Sequence, residues 1–174
     1  MSVSISYELY FKYNGEDVTA VTAVPSAPQG GRFSGYSVTA GSFAPFVQSR
    51  APGPGGRGID ITWDNEEGDY YIVEGVTESV SLIRELEEGE QMPPQSFKLE
   101  YTQGESASLS SQNFNYYGDY EVSVIHINAE YAIMSQGGST SSSTLVDVRG
   151  NIEGEYGIFT GINCVTESVR VKAD

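Results

Sequence analysis

Val3, Ile5, Tyr7, Leu9 and Phe11 alternate with Ser4, Ser6, Glu8 and Lys12. A period of two is the pattern of a half-buried strand, one face apolar and the other wet. Phe97, Leu99 and Tyr101 repeat that alternation, and Ile59, Ile61 and Trp63 alternate with Asp60, Thr62 and Asp64. Segment 120–133 carries Val122, Val124, Ile125, Ile127 and Ile133, with a change of phase at Val124-Ile125. That change predicts a bulge or burial on both faces. Segment 77–88 reads two ways. With Thr77 as N-cap, Val80, Ile83 and Leu86 would share one face of a helix near 78–88. The alternative is a strand through Ile83 followed by a short helical turn, closed by Gly89 and Pro93-Pro94. The expected fold is all-β, an antiparallel sandwich or barrel with little or no helix.

A repeat runs through these strands. Val76-Thr77-Glu78-Ser79-Val80 recurs letter for letter as Val165-Thr166-Glu167-Ser168-Val169. Upstream, Ile59-Asp60-Ile61 matches Val146-Asp147-Val148, and the stretch from Asn65 to Ile72 matches that from Asn151 to Ile158. Ser6 to Phe11 resembles Ser96 to Tyr101, and Gly15-Glu16 falls at Gly104-Glu105. Matched blocks in one order predict tandem duplication. The units are 1–88 and 95–174, either separate or fused into one pseudo-symmetric domain. The shared Asn-x-Glu-Gly block is expected to be a hairpin turn, with Gly68 and Gly154 at its tight position. A strand through Ile83 is favoured over the helix because the matching Val169-Arg170-Val171-Lys172 alternates.

Composition narrows the partners. The chain has 174 residues, 9 Lys and Arg against 24 Asp and Glu, and a formal charge of −15. That sign argues against nucleic acid and anionic membranes, both of which need a positive surface. No apolar run is long enough to span a bilayer. Hydrophobic residues make up 39%, enough for a packed core. No signal peptide is visible at the start, so cytoplasmic synthesis is expected, with later release as part of a particle compatible with it. Segments 25–35 and 48–58 are rich in Pro and Gly, and 137–144 is nearly all Gly, Ser and Thr. Loops of that length are disordered, bind something or are ordered by a neighbouring subunit.

Catalytic chemistry is thin. His126 is the single histidine, flanked by Ile125 and Ile127, and reads as a hydrogen-bonded core or face-lining residue. Cys164 is the single cysteine, which rules out an internal disulfide and makes a Cys–His nucleophile a matter of folding alone. No phosphate loop, nucleophile elbow or other cofactor motif occurs, so neither catalytic residues nor a cofactor are expected. Asp64, Glu66 and Asp69 crowd one turn with Glu67; calcium is the metal such oxygens would suit, although EF-hand spacing is absent. Twelve tyrosines remain. Tyr70, Tyr71, Tyr116, Tyr117 and Tyr120 are the candidate binding residues, since tyrosine offers large contact area at low entropic cost.

Two partial resemblances stop short of a family. The two-unit layout, with Thr77 to Leu82, is similar to βγ-crystallins, but the aromatic-x-Gly signature of that family is not properly spaced. Gly118-Asp119-Tyr120 and Gly157-Ile158-Phe159-Thr160-Gly161 resemble allene oxide cyclase-like barrels, and there the duplication argues against the match. The expected function is a non-enzymatic structural or binding protein, a self-assembling or protein-binding β subunit of a virion, tube or other particle. A lectin-like module with tyrosine platforms for a glycan is the alternative, and a β-barrel or cyclase taking a small apolar ligand is a further one.

Overall fold

The computed structural model describes residues 5–40, 58–132, 151–153 and 157–173. The all-β expectation holds, with eleven strands arranged in three sheets among those residues. The first sheet has the order β1-β2-β10, with β1 (Ser6–Tyr13), β2 (Glu16–Ala23) and β10 (Ile152–Glu153). Asn14 and Gly15 close the β1–β2 hairpin at φ 52° and 87°. An Asn-Gly pair at positive φ makes the two-residue turn whose twist matches that of the flanking strands. Val18, Ala20 and Thr22 of β2 are buried, whereas β1 is exposed along almost its whole length.

The second sheet carries the core, in the order β4-β11-β9-β6-β7. Its strands are β4 (Ser37–Ala40), β6 (Tyr70–Val76), β7 (Ser96–Lys98), β9 (Gly118–Ile127) and β11 (Ile162–Ala173). β9 is the spine, antiparallel to β6 from Tyr70↔Ile127 to Val76↔Glu121 and to β11 from Ile162↔Ile127 to Val171↔Gly118. Both registers run without a skipped residue, so the phase change at Val124-Ile125 reflects burial on both faces and not a bulge. One face packs Val122, Val124, Tyr120 and Val169 with Trp63, Tyr71 and Val73. The other packs Ile125 and Ile127 with Ile72 and Ala132. Each such fully buried aliphatic side chain contributes roughly 1.5–3 kcal/mol. Gly75 lies opposite Phe97, whose ring occupies the space a Cβ would need. The third sheet, β3-β5-β8, joins β3 (Arg32–Phe33), β5 (Ile59–Thr62) and β8 (Ser106–Leu109).

The structure decides between the readings of 77–88 and corrects the turn at Asn65. No helix forms at 78–88. The chain there lies extended along 115–117, with Ile83 N–H donating to Asn115 O at 3.0 Å and Tyr117 N–H to Ser81 O at 2.7 Å. Leu82 and Ile83 pack on the core, so tertiary partners take the backbone groups that a helix would pair internally.

The Asn65 turn is not a hairpin, because β5 and β6 belong to different sheets. The Asn65 side-chain amide accepts from Asp69 N–H at 2.8 Å, donates to Asp69 O at 3.0 Å and to Gln103 O at 2.8 Å. That clasp hands the chain from one sheet to the next.

The sequence repeat is also not carried into a repeat of strand pairing. β1 pairs with β2, while its matched segment β7 pairs with β6, and every sheet takes strands from both sides of residue 90. Segment 146–148, Gly154 and the loops 48–57 and 137–144 lie outside the described residues. Among the described residues, no helix is long and apolar enough to cross a membrane.

Candidate functional site

A cleft of about 750 Å³ opens where the base of the β1–β2 hairpin meets the Asn65 turn. Ile5 and Tyr7 form one wall and the acidic turn the other, with Tyr71 and His126 at the floor. Pairing across β6 and β9 fixes that floor, because Tyr71 stands opposite His126 and Asn163 of β11 stands opposite it on the far side. The Tyr71 ring stacks on the imidazole with centroids 4.7 Å apart and planes 23° apart. Trp63 lies behind Tyr71 at 5.3 Å.

His126 is only 5% exposed. Its Nδ1 lies 2.9 Å from Ser26 O, and its Nε2 lies 3.2 Å from Asp69 Oδ2. Both nitrogens thus face oxygens of the fold, one a backbone carbonyl and the other a carboxylate. Asp69 is aimed by the Asn65 clasp on its own amide. Burial, and then the charges of Asp69, Glu67 and Asp64, push the Tyr71 phenol above its usual range and keep it protonated. This constellation ties segment 25–29 to the acidic turn: Asp64 N–H donates to Gln29 O at 2.9 Å, and Asn163 Nδ2 donates to Pro25 O at 3.2 Å. Segment 25–35 is therefore held by its own chain.

The sequence candidates separate. Tyr116 and Tyr120 are core residues: the Tyr116 hydroxyl donates to Pro93 O at 2.7 Å, and the Tyr120 hydroxyl accepts from Tyr116 N–H at 3.1 Å. Tyr117 packs half-buried on the same core, while Tyr70 lies on the opposite face of the sheet, edge-on to Tyr101 at 5.5 Å. Of the five tyrosines, Tyr71 alone reaches the cleft, so they form no common platform. Asp64, Glu66 and Asp69 line the cleft, but Asp69 turns to His126 and Asp64 lies against Gly30. Among the described residues, no group of three His, Cys, Asp or Glu side chains converges as a metal site would. Cys164 stands opposite Ile125, one residue out of phase with His126, so alternation points the two side chains to opposite faces.

A second surface adjoins the cleft and was not singled out from sequence. β1 presents Tyr7, Tyr10, Phe11 and Tyr13 to solvent, Tyr10 at 62% exposure, and Val21 of β2 joins them. Among the described residues β1 pairs with β2 alone, which leaves its outer edge open. The signal for it was Asn14-Gly15, which marks a hairpin between two alternating runs. No family model matches the chain, and no curated protein or solved structure matches it either, so these two surfaces are read from their own chemistry.

Proposed function

We propose that the protein is a non-enzymatic β subunit that assembles with copies of itself, and that the β1–β2 hairpin is part of the contact. The observation that carries this reading is the run of exposed aromatic side chains on an edge strand of eight residues. An open strand edge lined by large apolar groups is a ready template for another chain, and proteins that remain monomeric usually blunt it. The state of His126 supports a non-catalytic role, since both ring nitrogens are engaged by groups of the fold and neither is left for a substrate. A glycan module on tyrosine platforms has less support because Tyr116 and Tyr120 are core residues. An apolar ligand is poorly suited to a cleft whose wall carries four carboxylates. Sedimentation equilibrium over a wide concentration range tests the reading. A mass rising above 18.8 kDa with concentration is expected; a strict monomer at the highest concentration overturns it.

A further inference from the structure

Resting on that reading, we infer that the partner at the hairpin is β1 of a second copy, paired antiparallel across its free edge in the one register that sets Tyr10 opposite Tyr10. The geometry limits the choices. Tyr13↔Glu16 closes the two-residue turn, and Val24 N–H donates to Ile5 O at 3.1 Å. Antiparallel pairing alternates along a strand, so the odd residues of β1 direct their main-chain groups at β2. Ser6, Glu8, Tyr10 and Lys12 direct theirs outward. In a symmetric pair of β1 strands, outward-directed residues must face outward-directed residues, which removes every register that sets an even position opposite an odd one.

Charge selects among those left. Centring the pair on Glu8 or on Lys12 puts like charges face to face. Centring it on Leu9 or Phe11 leaves Glu8 and Lys12 opposite uncharged residues. Centring it on Tyr10 sets Glu8 opposite Lys12 of the second copy and Lys12 opposite its Glu8. The same register sets Leu9 against Phe11 and Tyr7 against Tyr13, twice each. These fall at the non-hydrogen-bonded positions, where side chains approach most closely. Lys12 also meets Asp17 of its own β2 at 3.1 Å, so it would stand between two carboxylates on the joined surface. A lysine on an edge normally discourages pairing; here Glu8, four residues away, converts it into a register mark. The product joins two three-stranded sheets through their β1 edges.

The test is a charge-exchange set in the full chain, followed by analytical ultracentrifugation, with circular dichroism to confirm the fold of each variant. Glu8→Lys places lysines opposite lysines, and Lys12→Glu places carboxylates opposite carboxylates. Each is expected to weaken association by roughly tenfold or more, because two attractions become two repulsions. The double variant Glu8→Lys/Lys12→Glu restores both pairs and should associate like the parent. An equimolar mixture of the two single variants should form a mixed dimer that neither forms alone. Should the parent associate while both single variants match it, this register falls and assembly through another face stands. A monomeric parent overturns both.

Discussion

The five letters Val-Thr-Glu-Ser-Val occur twice and fold two ways. At 165–169 they lie inside β11, paired residue for residue with β9 from Val124 to Tyr120. At 76–80 the strand ends on the first letter, and 77–80 is irregular. The second letter shows the cause. Thr166 is exposed and shares a hydrogen bond with Ser123 at 2.7 Å across the two strands. Thr77 is buried; its hydroxyl donates to Asp119 O at 2.7 Å and accepts from Ser79 N–H at 3.1 Å. That second bond turns the chain back on itself locally, the competition that threonine and serine offer to a ladder. Where β6 would continue, Gln95 O takes the Thr77 N–H, and the chain leaves the sheet. Identical letters thus have different partners, and the partners decide.

The last letter gives the sharpest break in the pair. Val80 is 75% exposed and Val169 fully buried. Val169→Ala should cost about 2 kcal/mol through lost burial and a cavity, whereas Val80→Ala should stay within about 0.5 kcal/mol. Urea unfolding of both variants checks it, and equal losses would mean that the two copies share an environment after all. A smaller contrast lies at the second letter. Thr77→Val removes the bond to Asp119 O and leaves the Ser79 backbone donor without its acceptor, for a loss of about 1–2 kcal/mol. Thr166→Val on the open face should lose less than about 0.5 kcal/mol, and is also better suited to a strand.

The smallest contrast is electrostatic. Beyond the first copy, Arg84 grips Glu90 through two side-chain hydrogen bonds, and with a backbone bond from Glu87 this holds the Glu90 carboxyl down at about 2. In the second copy's strand, Arg170 pairs with Asp119 and lowers its carboxyl in the same direction. A depressed carboxyl stabilises above its unfolded value and loses that contribution as pH falls through its folded one. The stability difference between the parent and Glu90→Gln should therefore be present at pH 7, decline below about 4.5 and vanish near 2. A difference that persists unchanged to pH 2 would separate Glu90 from the ion pair.

What the sequence revealed follows the same division. Strands whose alternation was fixed by their own letters, such as 59–62 and the run through Val122 to Ile127, were legible. Segment 77–88 was not, because Leu82 and Ile83 answer to residues 115–117 and not to a local period. Asn65 and Asn151 were matched as turn residues, and both clasp a loop: Asn151 accepts from Phe159 N–H at 2.8 Å and donates to Phe159 O at 2.6 Å. The device repeats although the strands beside it do not. At the site, the five tyrosines part company because strand membership and exposure look alike in one dimension. Tyr116 is buried in the core, whereas Tyr7 stands 51% exposed on β1. The contact of His126 with Asp69 joins residues 57 positions apart, which no spacing could announce.

β11 carries a consequence for biosynthesis. It follows every other described strand in the chain, yet it sits inside the five-stranded sheet, seated between β9 and β4. As the polypeptide leaves the ribosome, β4 and β9 must wait with open ladders until residues 162–173 emerge. The central sheet closes only then, so a nascent chain halted before that point would hold its barest hydrogen-bonding edges where the finished fold has none.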